Sequence, residues 1–202
     1  MSNEFLRSHL IPVKFWGALA CFTNQNAHPE RYSYPVPTPS AIKGMLEAIF
    51  WKPEFKYLPI RVRVLNPLKQ ILICRNELKF DGKKPPISIQ NERTQIYTKA
   101  LKDVCYIIET DIVPNDGSYD SKMKYRAQLM KRIDRGRRYH QPCFGCREFI
   151  AHFSAPDGTE EPISWNTDLG AMFYGINHKT GSKCFFHAKV SDGVMEIPNL
   201  SW

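Results

Sequence analysis

The chain has 202 residues, 43% of them hydrophobic, which excludes a disordered polypeptide and suffices for one large domain or two small ones. Lysine and arginine exceed aspartate and glutamate by 8, a balance that suits a polyanionic partner, nucleic acid or an acidic membrane face. Glu4, Arg7 and Lys14 interrupt the first apolar stretch before a signal core forms, and no uncharged run reaches membrane-spanning length. With six scattered cysteines read as reduced thiols, the expected location is cytoplasmic.

In chain order, residues 11–22 alternate as a strand, with Val13, Phe15, Gly17, Leu19 and Cys21 on one face. A turn-rich stretch with Pro29, Pro35 and Pro37 follows. Thr38 can then cap a helix and Pro39 suits its first position. Ile42, Met45, Leu46, Ile49 and Phe50 recur at helical spacing until Pro53. Ile60, Val62 and Val64 alternate as a second strand, and Ile71 to Cys74 begins a third. Residues 79–99 read as a polar loop or hairpin tip, and Asp103 to Asp111 as a strand. Asp120 or Ser121 can cap a second helix ending at Arg135–Gly136, with Met123, Ala127, Met130 and Ile133 as its apolar seam. A strand is expected over Arg147–Phe153. Short strands follow near Ala171–Ile176, Cys184–Val190 and Val194–Ile197, the last two joined by an Asp192-Gly193 hairpin turn. The predicted class is α+β: an RRM-like (ferredoxin-like) β-α-β-β-α-β domain over 1–155, then a small antiparallel β-sheet domain over 156–202.

The charge is not spread evenly. Lys122, Lys124, Arg126, Lys131, Arg132, Arg135, Arg137 and Arg138 face one acid, Asp134, within 122–138. A solvated helix normally mixes signs to limit self-repulsion. A run of one sign makes sense when phosphates neutralise it. Tyr119, Tyr125 and Tyr139 flank this helix, and Tyr32 and Tyr34 stand in the earlier turn-rich stretch. Single-stranded RNA is held by such a combination of base stacking and backbone charge, although any one tyrosine can equally be a core filler. The candidate RNA-binding set is Lys122, Arg126, Lys131, Arg132, Arg135, Arg137, Arg138 and Tyr34.

RNA can be cut without a metal when a base takes the 2′-hydroxyl proton, a cation stabilises the phosphate and an acid protonates the leaving 5′-oxygen. Lys124, Tyr125 and His140 are the candidates beside the charged run. His140 also begins His140-x-x-Cys143-x-x-Cys146, followed far downstream by Cys184-x-x-His187, residue types that can ligate zinc. Positions three apart on a strand point to opposite faces, so neither pair makes a zinc knuckle. Phosphate-binding loops and two-metal carboxylate clusters are also missing, and no metal or cofactor is expected.

Further residues carry a resemblance. Val13-Lys14-Phe15-Trp16-Gly17, Ser33-Tyr34-Pro35-Val36-Pro37-Thr38-Pro39-Ser40-Ala41 and Glu47-Ala48-Ile49-Phe50-Trp51-Lys52-Pro53 resemble the CRISPR-associated Cas-five family of subtype I-C (Dvulg type). So do Arg75-Asn76-Glu77, Tyr139-His140-Gln141-Pro142, Gly145-Cys146-Arg147-Glu148-Phe149, Asp168-Leu169-Gly170 and Asp192-Gly193-Val194. These blocks run in order along nearly the whole chain.

The resemblance implies a RAMP protein: a metal-independent endoribonuclease that cuts precursor CRISPR RNA at the repeat hairpin, leaving a 2′,3′-cyclic phosphate and a 5′-hydroxyl. It also implies retention of the crRNA 5′ handle among the other subunits of a Cascade complex. The resemblance places Phe50 where some relatives carry a tyrosine. It places Lys124-Tyr125 where the family carries a Lys-His pair, so the lysine is kept and proton transfer falls to Tyr125 or His140. The alternative is a subunit of the same complex that binds RNA without cutting it.

Overall fold

The computed structural model describes residues 10–24, 30–78, 93–177 and 180–200. Its elements in chain order are β1 (Ile11–Ala20), β2 (Phe22–Thr23), β3 (Arg31–Tyr34), α1 (Pro39–Ile49), β4 (Phe55–Val64), β5 (Lys69–Leu78) and β6 (Arg93–Pro114). Then come α2 (Tyr119–Asp134), β7 (His152–Ser154), β8 (Thr167–Ile176), β9 (Lys183–Ser191) and β10 (Val194–Glu196). The strands form one mixed but mostly antiparallel sheet, and the α+β class stands.

β6 is the spine of that sheet. Its first half pairs with β5, and its second half has β1 on one edge and β4 on the other. Asp103, with φ of 54°, bends β6 where the partners change. β7 extends the sheet beyond β1, while β10 joins β4 to β9 and thence β8. The strand order β7-β1-β6-β4 therefore lies at the centre. Val13, Phe15, Val62, Tyr106 and Ile108 enter one core with residues of both helices.

α1 forms as its sequence dictates. Thr38 Oγ1 accepts a hydrogen bond from the Ala41 amide at 3.2 Å, Pro39 opens the first turn, and Ile42, Met45, Leu46 and Ile49 are buried. α1 packs on β4 and β8, and α2 on β6, β1 and β7.

Four expectations are corrected. The cap of α2 is Ser118, not Asp120 or Ser121: its hydroxyl accepts from the Ser121 amide, and Asp116 in turn accepts from the Ser118 amide and the Ser121 hydroxyl. The buried face of α2 is Tyr125, Leu129 and Ile133, an i, i+4, i+8 row, whereas Met123 and Met130 are exposed. Within the expected loop, residues 93–99 belong to β6, and residues 79–92 lie outside the described part. The strand expected over Arg147–Phe153 shrinks to β7 because the preceding chain folds tightly against the end of β1. At Gly145, φ is +80° and an added Cβ would stand 2.0 Å from the Cys21 carbonyl oxygen, so only glycine fits. Among the described residues, no helix is long and apolar enough to cross a membrane.

Candidate nucleic-acid interface

The end of α2 organises the charge. Gly136, at φ 61°, closes the helix: its amide donates to the Ile133 carbonyl, and the Arg137 amide donates to the Arg132 carbonyl at 2.8 Å. This is a Schellman termination, which folds the chain back over the last helical turn. Arg137 and Arg138 thereby return beside Lys131, Arg132 and Arg135, and the five line a groove of about 360 Å³ together with Gln128. Among the described residues these five form no ion pair, so the groove offers uncompensated positive charge. The C-terminal end of the helix dipole offsets part of their mutual repulsion.

Beyond the turn, the amides of Tyr139 and His140 both donate to the Ala48 carbonyl, at 2.9 and 3.1 Å. That double bond pins the segment to the C-terminal end of α1. A pocket of about 410 Å³ results, lined by Glu47, Phe50, Trp51, Arg132, Tyr139 and His140. Trp51 is 58% exposed and Tyr139 is 83% exposed, so both rings present open faces for stacking. Arg132 belongs to the groove and to the pocket. It donates to the Ile49 carbonyl at 3.1 Å, and its guanidinium lies 5.2 Å from the Phe50 ring centroid. It is thus a charge held in place where the two depressions meet.

The three candidate catalytic residues do not share one environment. His140 is exposed within the pocket. Lys124 is exposed on α2. Tyr125 is only 8% exposed, its ring 4.9 Å from that of Phe55 and 5.8 Å from the Lys52 ammonium. Burial, then Glu54 and Asp116, push its phenol up from the ordinary range, which makes it a poorer base at neutral pH. Phe50 packs against Phe55 in the same aromatic cluster, the rings tilted at 36°.

Among the candidate binding residues, Lys122 is engaged by Asp111 at 2.6 Å and Arg126 is half-buried. Tyr34 is 5% exposed, with its hydroxyl directed to Asn24 Oδ1. As a core ring it offers no stacking face, which corrects that assignment. Glu47, Trp51 and Gln128 were absent from the candidate set, and Tyr139 entered only as an aromatic flanking the charged helix. An exposed tryptophan directly after a helix end, and a tyrosine adjoining the one histidine near the charged run, were the available signals. Among the described residues, no group of three or more His, Cys, Asp or Glu side chains is poised to hold a metal, and all six cysteines are free.

The family model Cas5d, described as "CRISPR-associated protein (Cas_Cas5)", matches residues 10–197. A Thermus thermophilus protein named CRISPR pre-crRNA endoribonuclease Cas5d is 38% identical, over 93% of this chain and 91% of its own length. A protein of the same name from Mannheimia succiniciproducens is 35% identical, over 93% of this chain and 94% of its own. In three dimensions, the crystal structure of a CRISPR-associated protein superposes with a TM-score of 0.71 at 26% identity, covering 94% of this chain and 92% of that one. The Streptococcus mutans protein SMU1763c shares the fold with a TM-score of 0.69 at 21% identity, over 94% and 92% of the two chains. By sequence along nearly its whole length, and by fold, this chain belongs to the Cas5d family of CRISPR-associated proteins.

Proposed function

We propose that this chain is a metal-independent endoribonuclease that cleaves precursor CRISPR RNA at the repeat hairpin and retains the 5′ handle within a type I-C Cascade complex. Its partners are then the repeat hairpin and the other Cascade subunits, in the cytoplasm. The observation that carries this reading is the continuity, through Arg132, of a five-cation groove with a pocket holding two exposed aromatic rings and His140. A groove of cations suits a ribose-phosphate strand, exposed rings suit unpaired bases, and a histidine between them suits proton transfer. The relatives named as pre-crRNA endoribonucleases point the same way.

In this reading His140 takes the proton of the 2′-hydroxyl at the cut site. The freed 2′-oxygen bonds to the phosphorus, and the bond from phosphorus to the 5′-oxygen breaks. A protonated group or water returns a proton to the departing 5′-oxygen, leaving a 2′,3′-cyclic phosphate. Arg132 is the cation we assign to the crowded phosphate, with Lys124, two helical turns earlier on α2, as the second candidate for that role. Tyr125 is the alternative proton-transfer group. Lys122, Arg126, Lys131, Arg135, Arg137 and Arg138 hold the strand.

The module we read as RRM-like comprises β1, α1, β4, β6, α2 and β7. What supports this is the central strand order β7-β1-β6-β4 with a helix after the first and third of its strands in sequence. We likewise treat 1–155 as the RAMP domain and 156–202 as a small β-sheet unit docked through β10.

A second reading keeps the RNA and drops the cut: a binding subunit of the same complex. Its support is that Phe50 and Tyr125, at the family's other catalytic positions, are both packed in one aromatic cluster. Incubation of the purified chain with its own repeat RNA in EDTA decides between them. A single cut leaving a cyclic phosphate is expected; tight binding without any cut gives the second reading.

A further inference from the structure

One residue of α1 is out of keeping with the rest of the helix. Gly44 stands exposed in the middle of Pro39–Ile49, where glycine weakens a helix relative to alanine. Packing does not call for it: a Cβ at position 44 would meet nothing within 4 Å, whereas one at Gly17 or Gly145 would strike backbone. Gly44 instead forms part of a cleft of about 530 Å³ along α1, well within the roughly 300–1,000 Å³ range of small-ligand sites. Glu47 and His140 line both this cleft and the aromatic pocket, so the two adjoin there.

The lining differs in kind from the cationic groove. Among the described residues no lysine or arginine borders the cleft. It is lined by Thr38, Ser40, Glu47, Phe22 and Phe173 among others. Phosphates favour the groove; a base, with its flat apolar faces and polar edge, favours the cleft. A helix surface without a side chain lets such a group approach the backbone closely.

We propose that the α1 cleft holds one unpaired, amino-bearing base of the RNA strand, with Gly44 as its floor and Glu47 as the acceptor that reads its edge. The inference rests on the reading of the chain as an RNA-processing protein and adds a base-specific subsite to it. A carboxylate accepts from the exocyclic amines of cytosine and adenine. It fits guanine best, whose ring N–H and 2-amino group lie side by side opposite its two oxygens. Uracil offers a single N–H flanked by two carbonyls, which repel a carboxylate.

The test uses the whole chain and its own repeat RNA, blocked at the cut site with a 2′-deoxy sugar. Binding is read by fluorescence anisotropy in EDTA. Gly44→Ala is expected to melt at the same temperature as the wild type or higher, yet to bind between about fivefold and a hundredfold more weakly, the usual effect of losing one base contact. Wild-type protein should lose similar affinity when one unpaired guanine is replaced by uracil, and part of it on replacement by inosine, which lacks the 2-amino group. Glu47→Ala should bind those RNAs alike. If Gly44→Ala binds as tightly as the wild type, or Glu47→Ala retains the base preference, the subsite is refuted while the nuclease reading stands. If the wild type fails to bind repeat RNA, both fall.

Discussion

A proton-transfer group must reach both its substrate and water, and the rings of His140 and Tyr125 differ in that respect. His140 stands open beside Arg132, while Tyr125 is walled in by Phe55 and Lys52. His140→Ala should therefore slow repeat cleavage by about 10²–10⁴-fold with little change in RNA affinity, the usual span for loss of a general acid–base. Tyr125→Phe should cut at close to the wild-type rate. Single-turnover cleavage of labelled repeat RNA checks both. The reverse pattern would return proton transfer to the Lys124–Tyr125 pair. The candidacy of His140 was legible in the sequence because it lies next to the charged run. The burial of Tyr125 was not, since α2 carries apolar residues on more than one face and the face that packs is selected by residues distant in sequence, Phe55 among them, 70 positions upstream. Glu47 was equally hidden: its place beside His140 depends on Ala48 capturing the amides of residues 139 and 140.

Among the connections between elements, the turn directly after β7 is organised around one carboxylate. Glu160 accepts from the Lys14 ammonium of β1 at 3.0 Å and from the amides of Asp157 and Gly158, while its own carbonyl accepts from Arg63 of β4. Burial opposes ionisation of Glu160, but Lys14 and those amides outweigh it and hold the carboxyl at about 2. A folded-state pKa below the unfolded value gives stability that is fully present above the ordinary range near 4.5 and is lost as pH falls toward 2. The melting temperature of the wild type should consequently fall more steeply between those pH values than that of Glu160→Gln, and equal slopes would show that the clasp is unimportant. This contact joins residues 146 positions apart, and nothing in the local pattern around Pro156-Asp157-Gly158 foretold it. The caps and seam of α1, by contrast, were readable because Thr38, Pro39 and the apolar spacing agree with one another.

At the scale of the whole molecule, the alternation of strands and helices was legible almost throughout, since side-chain periodicity is a local property. The length of β6 was not, because its first half pairs with β5 and the residues it buries, Thr98 and Ala100, carry little hydrophobic signal. Nor was the way β10 unites the chain's last strands with the rest. Val194, Met195 and Glu196 pair with Arg63, Val62 and Arg61, so the final hairpin occupies the side of β4 that would otherwise face water. A strand left bare along that side presents unpaired amides and carbonyls, which recruit whatever extended backbone is at hand. Protein ending before Thr167 should accordingly self-associate, eluting as dimers or larger species in size-exclusion chromatography where the longer chain elutes as a monomer. The last hairpin is in this sense a built-in guard against sheet-to-sheet polymerisation, whatever else it contributes.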